Sequence, residues 1–250
     1  MKILITGASS GIGLEMAKYL AKDKNELILV SRNKEKLEEI QEKLPTKVTI
    51  IVADLANEQK VKELYAFVKK QDIDVLINNA GFGLFGYLSE TDINKEMEMI
   101  DTNIKAVHIL TKLIIKDMEK KNSGYILNLA SSAAFQPGPL MATYYATKSY
   151  VYQLTEALYY EEKVKNKNIG ISVLCPGPVD TNFNNVAGVH FGVKPLDSKY
   201  VAEYAIEKML KKKMLIIPGT KMKLAKFFSR FVSDKTLLKM TYKIQKKKVN

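Results

Sequence analysis

Two residues four positions apart, Tyr144 and Lys148, could together exchange a proton with a bound molecule. Residues at this spacing share one face of a helix, so the ammonium of Lys148 can stand beside the phenol of Tyr144. A tyrosine hydroxyl has an ordinary pKa near 10, which a neighbouring positive charge lowers because it favours the phenolate. Lowering that pKa to about 7 needs roughly 4 kcal/mol, within reach of Lys148 and a second cation in a dry site. Taken alone, such a pair is commonly an exposed pair without a chemical role. The rest of the sequence must therefore decide between that interpretation and an acid/base pair.

A glycine-rich turn from Thr6 to Gly13 follows a predicted strand and opens a predicted helix. Glycines let the backbone turn tightly and approach a pyrophosphate, whose charge the free N–H groups and dipole of the helix N-terminus stabilise. A lone glycine motif is weak evidence, but the flanking strand and helix supply the required context. The turn therefore predicts a dinucleotide site, with a ligand-free turn as the alternative.

The second predicted strand ends in Ser31, Arg32 and Asn33, without a carboxylate. A dinucleotide fold places the group that reads the adenosine ribose here, where Asp or Glu would bind a free 2′-hydroxyl and repel a 2′-phosphate. Arginine instead pairs with phosphate through charged hydrogen bonds. The sequence therefore favours NADP(H) over NAD(H), with a merely solvated Arg32 at a helix start as the alternative.

Short apolar runs alternate along the chain with longer stretches of helical spacing. The runs are nearly continuous in apolar residues, which is typical of parallel strands buried on both faces. The predicted strands are Lys2 to Thr6, Glu26 to Ser31, Lys47 to Val52, Asp74 to Asn78, Tyr125 to Leu129 and Ile169 to Leu174. The predicted helices are Gly11 to Lys22, Lys34 to Leu44, Glu58 to Lys70, Ile93 to Met118 and Tyr144 to Lys165. This order predicts an α/β fold, a doubly wound parallel sheet of the Rossmann type, with a lid-like loop from Pro176 to Leu196.

Several motifs occur in a fixed order along the chain. They are Thr6 to Gly13; Asn78-Asn79-Ala80-Gly81; Asn103; Ser131, thirteen residues before Tyr144; Tyr144-Tyr145-Ala146-Thr147-Lys148; and Pro176-Gly177 followed by Thr181. Together they resemble the short-chain dehydrogenase/reductase family of the classical type, over about residues 1–217. The resemblance implies one dinucleotide-binding and catalytic domain over residues 1–217. The sequence departs from the family's pattern after that, where residues 218–250 form a predicted basic amphipathic extension.

The resemblance also implies a role for each matching residue. Tyr144 is expected to give a proton to a carbonyl oxygen or take one from an alcohol, while Ser131 bonds the same oxygen. Lys148 is expected to hold the nicotinamide ribose and lower the pKa of Tyr144, and Asn103 to anchor a water that links Lys148 to solvent. These four are the expected catalytic residues. The expected cofactor contacts are Gly7, Ser9, Ser10, Gly11, Ile12, Gly13, Arg32, Asp54, Leu55, Asn79, Ala80, Gly81, Tyr144, Lys148, Pro176, Gly177, Val179 and Thr181.

The implied activity is that of an NADP(H)-dependent oxidoreductase, which moves hydride between nicotinamide and a carbonyl or secondary alcohol. An apolar substrate is expected from the aromatic and aliphatic residues near the expected cleft, namely Phe82, Phe85, Phe135, Leu140, Phe183 and Phe191. A non-catalytic dinucleotide-binding regulator on the same fold is the alternative, since fold does not determine function.

The family resemblance suggests a homodimer through the long helices after Asn103 and from Tyr144 onward, and twofold pairing is also the commonest assembly of soluble proteins. Its predicted apolar surface consists of Val151, Leu154, Leu158 and Tyr159.

The composition argues against several other kinds of protein. The 250 residues hold one cysteine, Cys175, and two distant histidines, His108 and His190, so a disulfide scaffold and a Cys or His metal site are not expected. Cys175 is expected in the core and the setting in the reducing cytoplasm. We expect no membrane span, since no run approaches about 18 apolar residues. We expect no signal peptide, since residues 1–5 lead straight into the glycine turn.

The basic excess is confined to the C-terminal end of the chain. Residues 211–250 hold 13 Lys and Arg against one acidic residue, Asp234, whereas the preceding 210 residues hold 26 of each sign. Helical spacing predicts two amphipathic helices there, and we expect Phe227, Phe228 and Phe231 to be buried against the body or a partner subunit. Peripheral contact with an anionic membrane is the second interpretation. Nucleic acid is the weakest, because no recognition module accompanies the charge.

Overall fold

A computed structural model describes residues 1–183 and 194–247 of the chain. Its strands are β1 (Lys2–Thr6), β2 (Glu26–Ser31), β3 (Val48–Val52), β4 (Val75–Asn78), β5 (Gly124–Leu129), β6 (Ile169–Leu174) and β7 (Leu215–Ile216). They form one parallel sheet in the order β3-β2-β1-β4-β5-β6-β7. The predicted doubly wound α/β fold is therefore confirmed, and the first six strands lie within one residue of their predicted limits.

Helices cover both faces of this sheet. They are α1 (Gly11–Ala21), α2 (Lys34–Lys43), α3 (Glu58–Lys69), α4 (Ile93–Ile100), α5 (Val107–Lys121), α6 (Ala142–Val164), α7 (Ser198–Leu210), α8 (Thr220–Ser229) and α9 (Asp234–Lys246). The predicted helix from Ile93 to Met118 is interrupted by a π-helical stretch, Asp101–Ala106, which separates α4 from α5. A short 3₁₀ helix, Ser132–Phe135, follows β5. In the two described ranges, no helix is long and apolar enough to cross a membrane.

Successive residues of each central strand pack on opposite sides of the sheet. On β1, Ile3 and Ile5 join a buried cluster with α1, α2 and α7, whereas Leu4 joins another with α3 and α5. None of these three side chains has any exposed surface. Burial of each contributes about 1.5 to 3 kcal/mol before ordering costs, which is why near-continuous apolar runs form the centre of this sheet.

Helix α6 contributes Val151 to a third buried cluster, which also holds Cys175 at the end of β6. Both side chains are completely buried. The expectation for Cys175 is confirmed, whereas the prediction that Val151 forms part of a subunit surface is wrong. Val151 belongs to the protomer's own core because it lies on the face of α6 that packs against the sheet.

Four buried polar side chains connect the centre of the sheet to α5 and α6. Asn78 Nδ2 donates to Thr111 Oγ1 at 3.0 Å and to Asn128 Oδ1 at 2.8 Å. Asn128 Nδ2 donates in turn to Thr155 Oγ1 at 2.9 Å. Because Asn78 and Asn128 are register partners on β4 and β5, these hydrogen bonds fix the strand ends that lead into the site.

The order of the strands reverses between β1 and β4. The chain adds β2 and β3 on one side of β1, and then β4 to β7 on the other side. In open α/β sheets a ligand binds beyond the carboxyl ends of the strands at such a reversal. The glycine turn follows β1 and Asn79 follows β4, so both lie at this crevice.

The basic extension forms the two predicted helices, α8 and α9. Gly219 precedes α8 with a φ of +79°, a backbone conformation that L side chains rarely adopt, and so permits a sharp turn after β7. Helix α9 is attached to the body through its buried side chains Thr241 and Gln245. The extension thus lies folded over the carboxyl edge of the sheet rather than apart from it.

Candidate active site

The turn after β1 is built so that its backbone can approach a ligand closely. Gly7 has a φ of +64°, and a Cβ there would lie 2.8 Å from Cα of Ala80. The Asn79 amide braces the turn by donating to the carbonyl oxygens of Thr6 and Gly7 at 3.0 and 2.9 Å. No side chain caps the start of α1, whose first turn has no acidic residue. Its free N–H groups therefore remain available to an anion, so the turn fits a pyrophosphate.

The far end of this crevice is lined by Ser31, Arg32 and Asp54. Ser31 Oγ donates to Ser9 Oγ at 2.8 Å, which joins the end of β2 to the glycine turn. Arg32 is an exposed side chain whose Nη1 lies 2.6 Å from a carboxylate oxygen of Glu98. The only carboxylate among these three wall residues is that of Asp54, which follows β3 and accepts from the backbone N–H of Ala56 at 3.0 Å.

The three residues of the predicted acid/base group meet on the opposite wall. Tyr144 and Lys148 lie in the first half of α6, and both are more than nine-tenths buried. Lys148 Nζ donates to the carbonyl oxygen of Leu129 at 3.0 Å and lies 5.9 Å from the centroid of the Tyr144 ring. Ser131 caps the start of the 3₁₀ helix, where its Oγ accepts from the N–H of Ala133 at 3.1 Å.

Without a bound ligand, burial is the main cause of the pKa shifts of Tyr144 and Lys148. It raises the pKa of Tyr144 well above the ordinary value, and hydrogen bonding with the side chain of Ser131 only partly opposes the rise. Burial also lowers the pKa of Lys148 to about 8, because it disfavours the ammonium. The predicted lowering of the Tyr144 pKa is therefore not produced by Lys148 alone.

Asn103 does not line the cavity but supports its wall from inside the protein. The side chain is fully buried and lies in the π-helical stretch. Its Nδ2 donates to the Phe82 carbonyl and to Thr147 Oγ1 at 2.9 and 3.1 Å, while its Oδ1 accepts from the Phe82 N–H at 3.1 Å. A Cβ on Gly81 would lie 2.8 Å from this Oδ1 and 3.2 Å from Lys148 Nζ. Asn103 thus ties the loop after β4 to α6.

One cavity of about 950 Å³ connects all of these parts. Every predicted catalytic and cofactor residue lines it except Gly13 and Asn103. Gly13 instead faces the Asn79 amide, where a Cβ would lie 2.4 Å from Nδ2, so its role is close packing of α1 on the sheet. The structure thus brings the predicted site residues together around one cavity, with Gly13 and Asn103 behind its lining.

Of the predicted apolar residues, Phe82, Phe135 and Phe183 line the cavity. Phe85 and Leu140 do not: Phe85 packs against the cluster around Tyr144, and Leu140 is buried at the turn before α6. Phe191 and His190 lie outside the described residues. His108 is half-buried on α5, where its Nδ1 lies 2.7 Å from the Tyr150 hydroxyl, away from the cavity.

Residues 1–188 match the family model described as short chain dehydrogenase. The chain belongs to the short-chain dehydrogenase family. A curated relative from Staphylococcus epidermidis, named an uncharacterized oxidoreductase, is 31% identical over 206 residues, which cover 81% of this chain and 88% of the relative. The predicted resemblance is therefore confirmed.

Solved structures of other short-chain dehydrogenases share this architecture. One from Sphingobium yanoikuyae in complex with NADPH is 24% identical, has a TM-score of 0.83 and covers 92% of this chain and 93% of its own. Another from Burkholderia phymatum in complex with NAD is also 24% identical, with a TM-score of 0.84 and 94% of each chain covered. At this level of identity the likeness concerns the fold.

This short-chain dehydrogenase completes its cavity with the basic extension, which lies beyond the family match. The lining residues from the extension are Met222, Ala225, Lys226, Phe228, Ser229, Val232, Leu237, Met240, Thr241, Ile244 and Lys247. Their amphipathic spacing is visible in the sequence, but the side of the body on which they pack is not. Gln136, Met141 and Tyr145, also in the wall, carried no sequence signal that marked them as lining.

Three side-chain hydrogen bonds hold α9 against the rim of the cavity. Gln245 Nε2 donates to the hydroxyl of Tyr145 at 2.5 Å. Tyr145 is the residue that follows Tyr144 in the sequence. Gln136 Nε2 donates to Thr241 Oγ1 at 2.7 Å. Further out, the hydroxyls of Tyr87 and Tyr242 lie 3.0 Å apart.

The predicted burial of three phenylalanines against the body is wrong. Phe227, Phe228 and Phe231 are 54%, 59% and 75% exposed. Helix α8 turns its other face inward, because Lys226 donates to the Tyr152 hydroxyl at 2.8 Å and lies 4.6 Å from the Phe135 ring centroid. Phe227 and Phe231 then lie on the outer side, while Phe228 reaches only the mouth of the cavity and stays mostly exposed.

Proposed function

We propose that the protein is an NADP(H)-dependent oxidoreductase, which transfers hydride between nicotinamide and the carbonyl or secondary alcohol of an apolar substrate. Its family is one of oxidoreductases that use nicotinamide dinucleotides, and the proposal adds the cofactor form and the substrate class. The observation that carries it is the meeting of Ser131, Tyr144 and Lys148 on the wall of the cavity that begins at the glycine turn.

Tyr144 is proposed as the acid and base. Its raised pKa keeps the phenol protonated at neutral pH, so in the reducing direction it has a proton to give to a carbonyl oxygen. Ser131 stands in the same wall, where its hydroxyl can donate to that oxygen and orient it. Lys148 is proposed to hold the nicotinamide ribose, and below pH of about 8 its ammonium favours the phenolate left behind. When bound, the nicotinamide supplies or takes up the hydride.

The cofactor is proposed to lie along the crevice from the glycine turn to Arg32. Free N–H groups at the start of α1 suit the pyrophosphate, and Asp54 and Leu55 line the adenosine end. Arg32 supports NADP(H), because the end of β2 has no carboxylate that would repel a 2′-phosphate. The two solved relatives described above bind NADPH and NAD respectively, so the family alone leaves this choice to local residues.

The substrate part of the cavity supports an apolar molecule. Phe135 and Phe183 line it from the body, and Val232, Met240 and Ile244 line it from the extension. A pocket with these walls and few polar groups gains affinity from apolar contact and orients the substrate through its reacting oxygen.

We further propose a cytoplasmic homodimer. The buried, single cysteine fits a reducing compartment. Tyr160 and Val164 on α6 are 63% and 64% exposed, and an apolar end of this kind suits a twofold contact between the α5 and α6 helices of two protomers. Light scattering is expected to give twice 28.2 kDa at micromolar concentration. A mass of one chain across that range would refute the dimer.

The decisive experiment is a panel of ketones, aldehydes and secondary alcohols, followed by the absorbance of the reduced nicotinamide. Tyr144→Phe should lose at least about a hundredfold in turnover, as expected when a general acid is removed. Tyr65→Phe is the control, since it removes a hydroxyl that donates to Asp117 outside the cavity and should keep the reaction. Equal turnover by Tyr144→Phe and the native protein would refute the mechanism. Dinucleotide binding without turnover of any substrate would favour the non-catalytic regulator.

A further inference from the structure

Within the described part of the protomer, the cations of the extension have no ion-pair partners. The body holds 26 basic and 26 acidic residues over its first 210 positions, and its described ion pairs join those two sets. None of the ion pairs among the described residues involves positions 211–247, although residues 211–250 carry 13 Lys and Arg against one Asp. The protein therefore presents one strongly positive region on an otherwise balanced surface.

The same region presents an exposed aromatic face. Leu224, Phe227 and Phe228 on α8 and Phe231 just after it are each more than half exposed. The Phe227 ring centroid lies 5.4 Å from that of Phe228 and 5.5 Å from that of Phe231, so the rings form one cluster. Exposed clusters of this kind on a soluble domain mark a binding surface. We call these four residues the aromatic face.

We propose that the aromatic face docks the protein on an anionic lipid surface. Such a surface offers apolar depth for the rings and negative headgroups for the surrounding Lys221, Lys223 and Arg230, all three of which are exposed. A second copy of the chain is a poor occupant, because its own extension carries the same charge and its body is balanced. Charge complementarity thus favours lipid over self-association through this face.

The mouth of the cavity opens beside the aromatic face. Phe228, Met240 and Ile244 line the cavity and are 59%, 51% and 58% exposed, so they form its rim. Docking would place this rim at the boundary of the acyl chains, where an apolar substrate is most concentrated. This consequence for substrate entry rests on the proposed function, whereas the docking itself does not.

The test is co-sedimentation of the full chain with vesicles, without cofactor or substrate, so that it is independent of turnover. The native protein should sediment with phosphatidylcholine vesicles that contain phosphatidylserine and stay in solution with phosphatidylcholine alone. High salt should release it, because screening weakens the headgroup attraction. Sedimentation with both kinds of vesicle alike, or with neither, would overturn the proposal.

Two variants separate the apolar from the electrostatic part. Phe227→Ser with Phe231→Ser should weaken binding by about a hundredfold, since two rings no longer insert. Lys221→Gln with Arg230→Gln should weaken it about 30-fold, since each basic residue near the surface contributes about fivefold. Ile93→Ser with Met97→Ser is the matched control, because these side chains are exposed on α4, outside both the extension and the helices of the proposed dimer contact.

All substituted side chains are exposed, so each variant should keep the native melting temperature. Native-like vesicle binding by the Phe227→Ser, Phe231→Ser protein would refute docking through the aromatic face. A change in its oligomeric state by light scattering would show a subunit interface instead. Displacement of the native protein from vesicles by a short RNA, with equal affinity for RNA and vesicle, would make the surface a general polyanion site and also overturn the proposal.

Discussion

Arg32 forms an ion pair with Glu98, with 2.6 Å between Nη1 and Oε1, across the gap between the end of β2 and helix α4. Glu98 also binds Lys95 at 2.9 Å, and the two cations hold the pKa of its carboxyl below the ordinary value. A charged carboxylate therefore lies beside the guanidinium that we propose reads the cofactor phosphate. Because a guanidinium has five N–H donors, Arg32 can keep this partner and still donate to a phosphate.

Arg32→Ala is expected to weaken NADPH binding by about ten- to a hundredfold, the value of a charge-assisted phosphate contact of about 1.5 to 3 kcal/mol. NADH binding should change little, because its ribose has no phosphate at that position. Calorimetric titration of both cofactors measures the difference. Native protein that binds NADH as tightly as NADPH would contradict the proposed preference.

Glu98→Gln should act in the opposite direction on NADPH. The change removes a negative charge near the 2′-phosphate and frees Arg32 from its ion pair, so NADPH should bind several-fold more tightly. Glu35→Gln on the exposed start of α2 is the control, since it removes a charge without contacting Arg32. An unchanged or weaker affinity in Glu98→Gln would show that the pair holds Arg32 in its binding position.

Lys148→Met should stabilise the protein without cofactor at pH 7. Burial lowers the pKa of Lys148 to about 8, so at pH 7 the folded protein holds a buried ammonium at a cost of up to roughly 3 kcal/mol. Removing it should raise the free energy of unfolding by about 1 to 3 kcal/mol, less whatever the lost bond to the Leu129 carbonyl contributed. Urea unfolding measures this gain, while activity should be lost.

The gain should also depend on pH. Below about pH 8 the lysine is protonated in both states, and the full cost applies. Above that pH the unfolded chain binds more protons than the folded one, so native stability rises towards that of Lys148→Met up to about pH 10. Lys112→Met, an exposed position on α5, should show no such convergence. Parallel pH profiles for native and Lys148→Met proteins would contradict the buried ammonium.

Asn128→Ala should destabilise the protein by about 2 to 4 kcal/mol. It removes the partner that links Asn78 to Thr155 and leaves their buried polar groups unsatisfied. Gln153→Ala, on the exposed side of α6, should change the free energy of unfolding by less than about 0.5 kcal/mol. The urea midpoint reports both, and a small effect of Asn128→Ala would mean that water replaces the lost amide.

The limits of β1 to β6 could be predicted because both faces of these strands are apolar and their ends are marked by glycine or polar residues. Helix α7 was missed although Asp197 caps it and Val201, Ala205 and Met209 form its buried stripe. Alanine carries little hydrophobic signal, and the irregular stretch before the helix concealed its start. The π-helical turn around Asn103 leaves no periodic pattern at all.

The juxtaposition of Tyr144 and Lys148 could be predicted because their spacing on one helix determines it. The direction in which α8 faces could not, because amphipathic spacing identifies two faces without saying which one meets the body. That choice depends on contacts distant in sequence, namely Lys226 with Tyr152 and Gln245 with Tyr145. Burial of the Tyr144 hydroxyl, which sets its pKa, is likewise a property of the assembled cavity.

Gln245→Leu should loosen α9 from the rim, because it removes the donor to the Tyr145 hydroxyl from a fully buried position. Trypsin should then cut the lysine-rich extension several-fold faster, since local opening costs less free energy. The KM for large apolar substrates should rise more than kcat falls. Gln59→Leu on the exposed face of α3 is the control. An unchanged cleavage rate in Gln245→Leu would show that the hydrogen bond between Gln245 and Tyr145 does not hold α9 in place.

The separation between sheet and extension has an evolutionary consequence. Among the described residues, the four hydrophobic clusters include one side chain from beyond position 217, that of Met222. The segment after Gly219 can therefore diverge, or be replaced through recombination, without disturbing the core that folds the rest of the chain. Gene duplicates that differ mainly in this segment would inherit the proposed proton donor and cofactor crevice and could acquire new substrates.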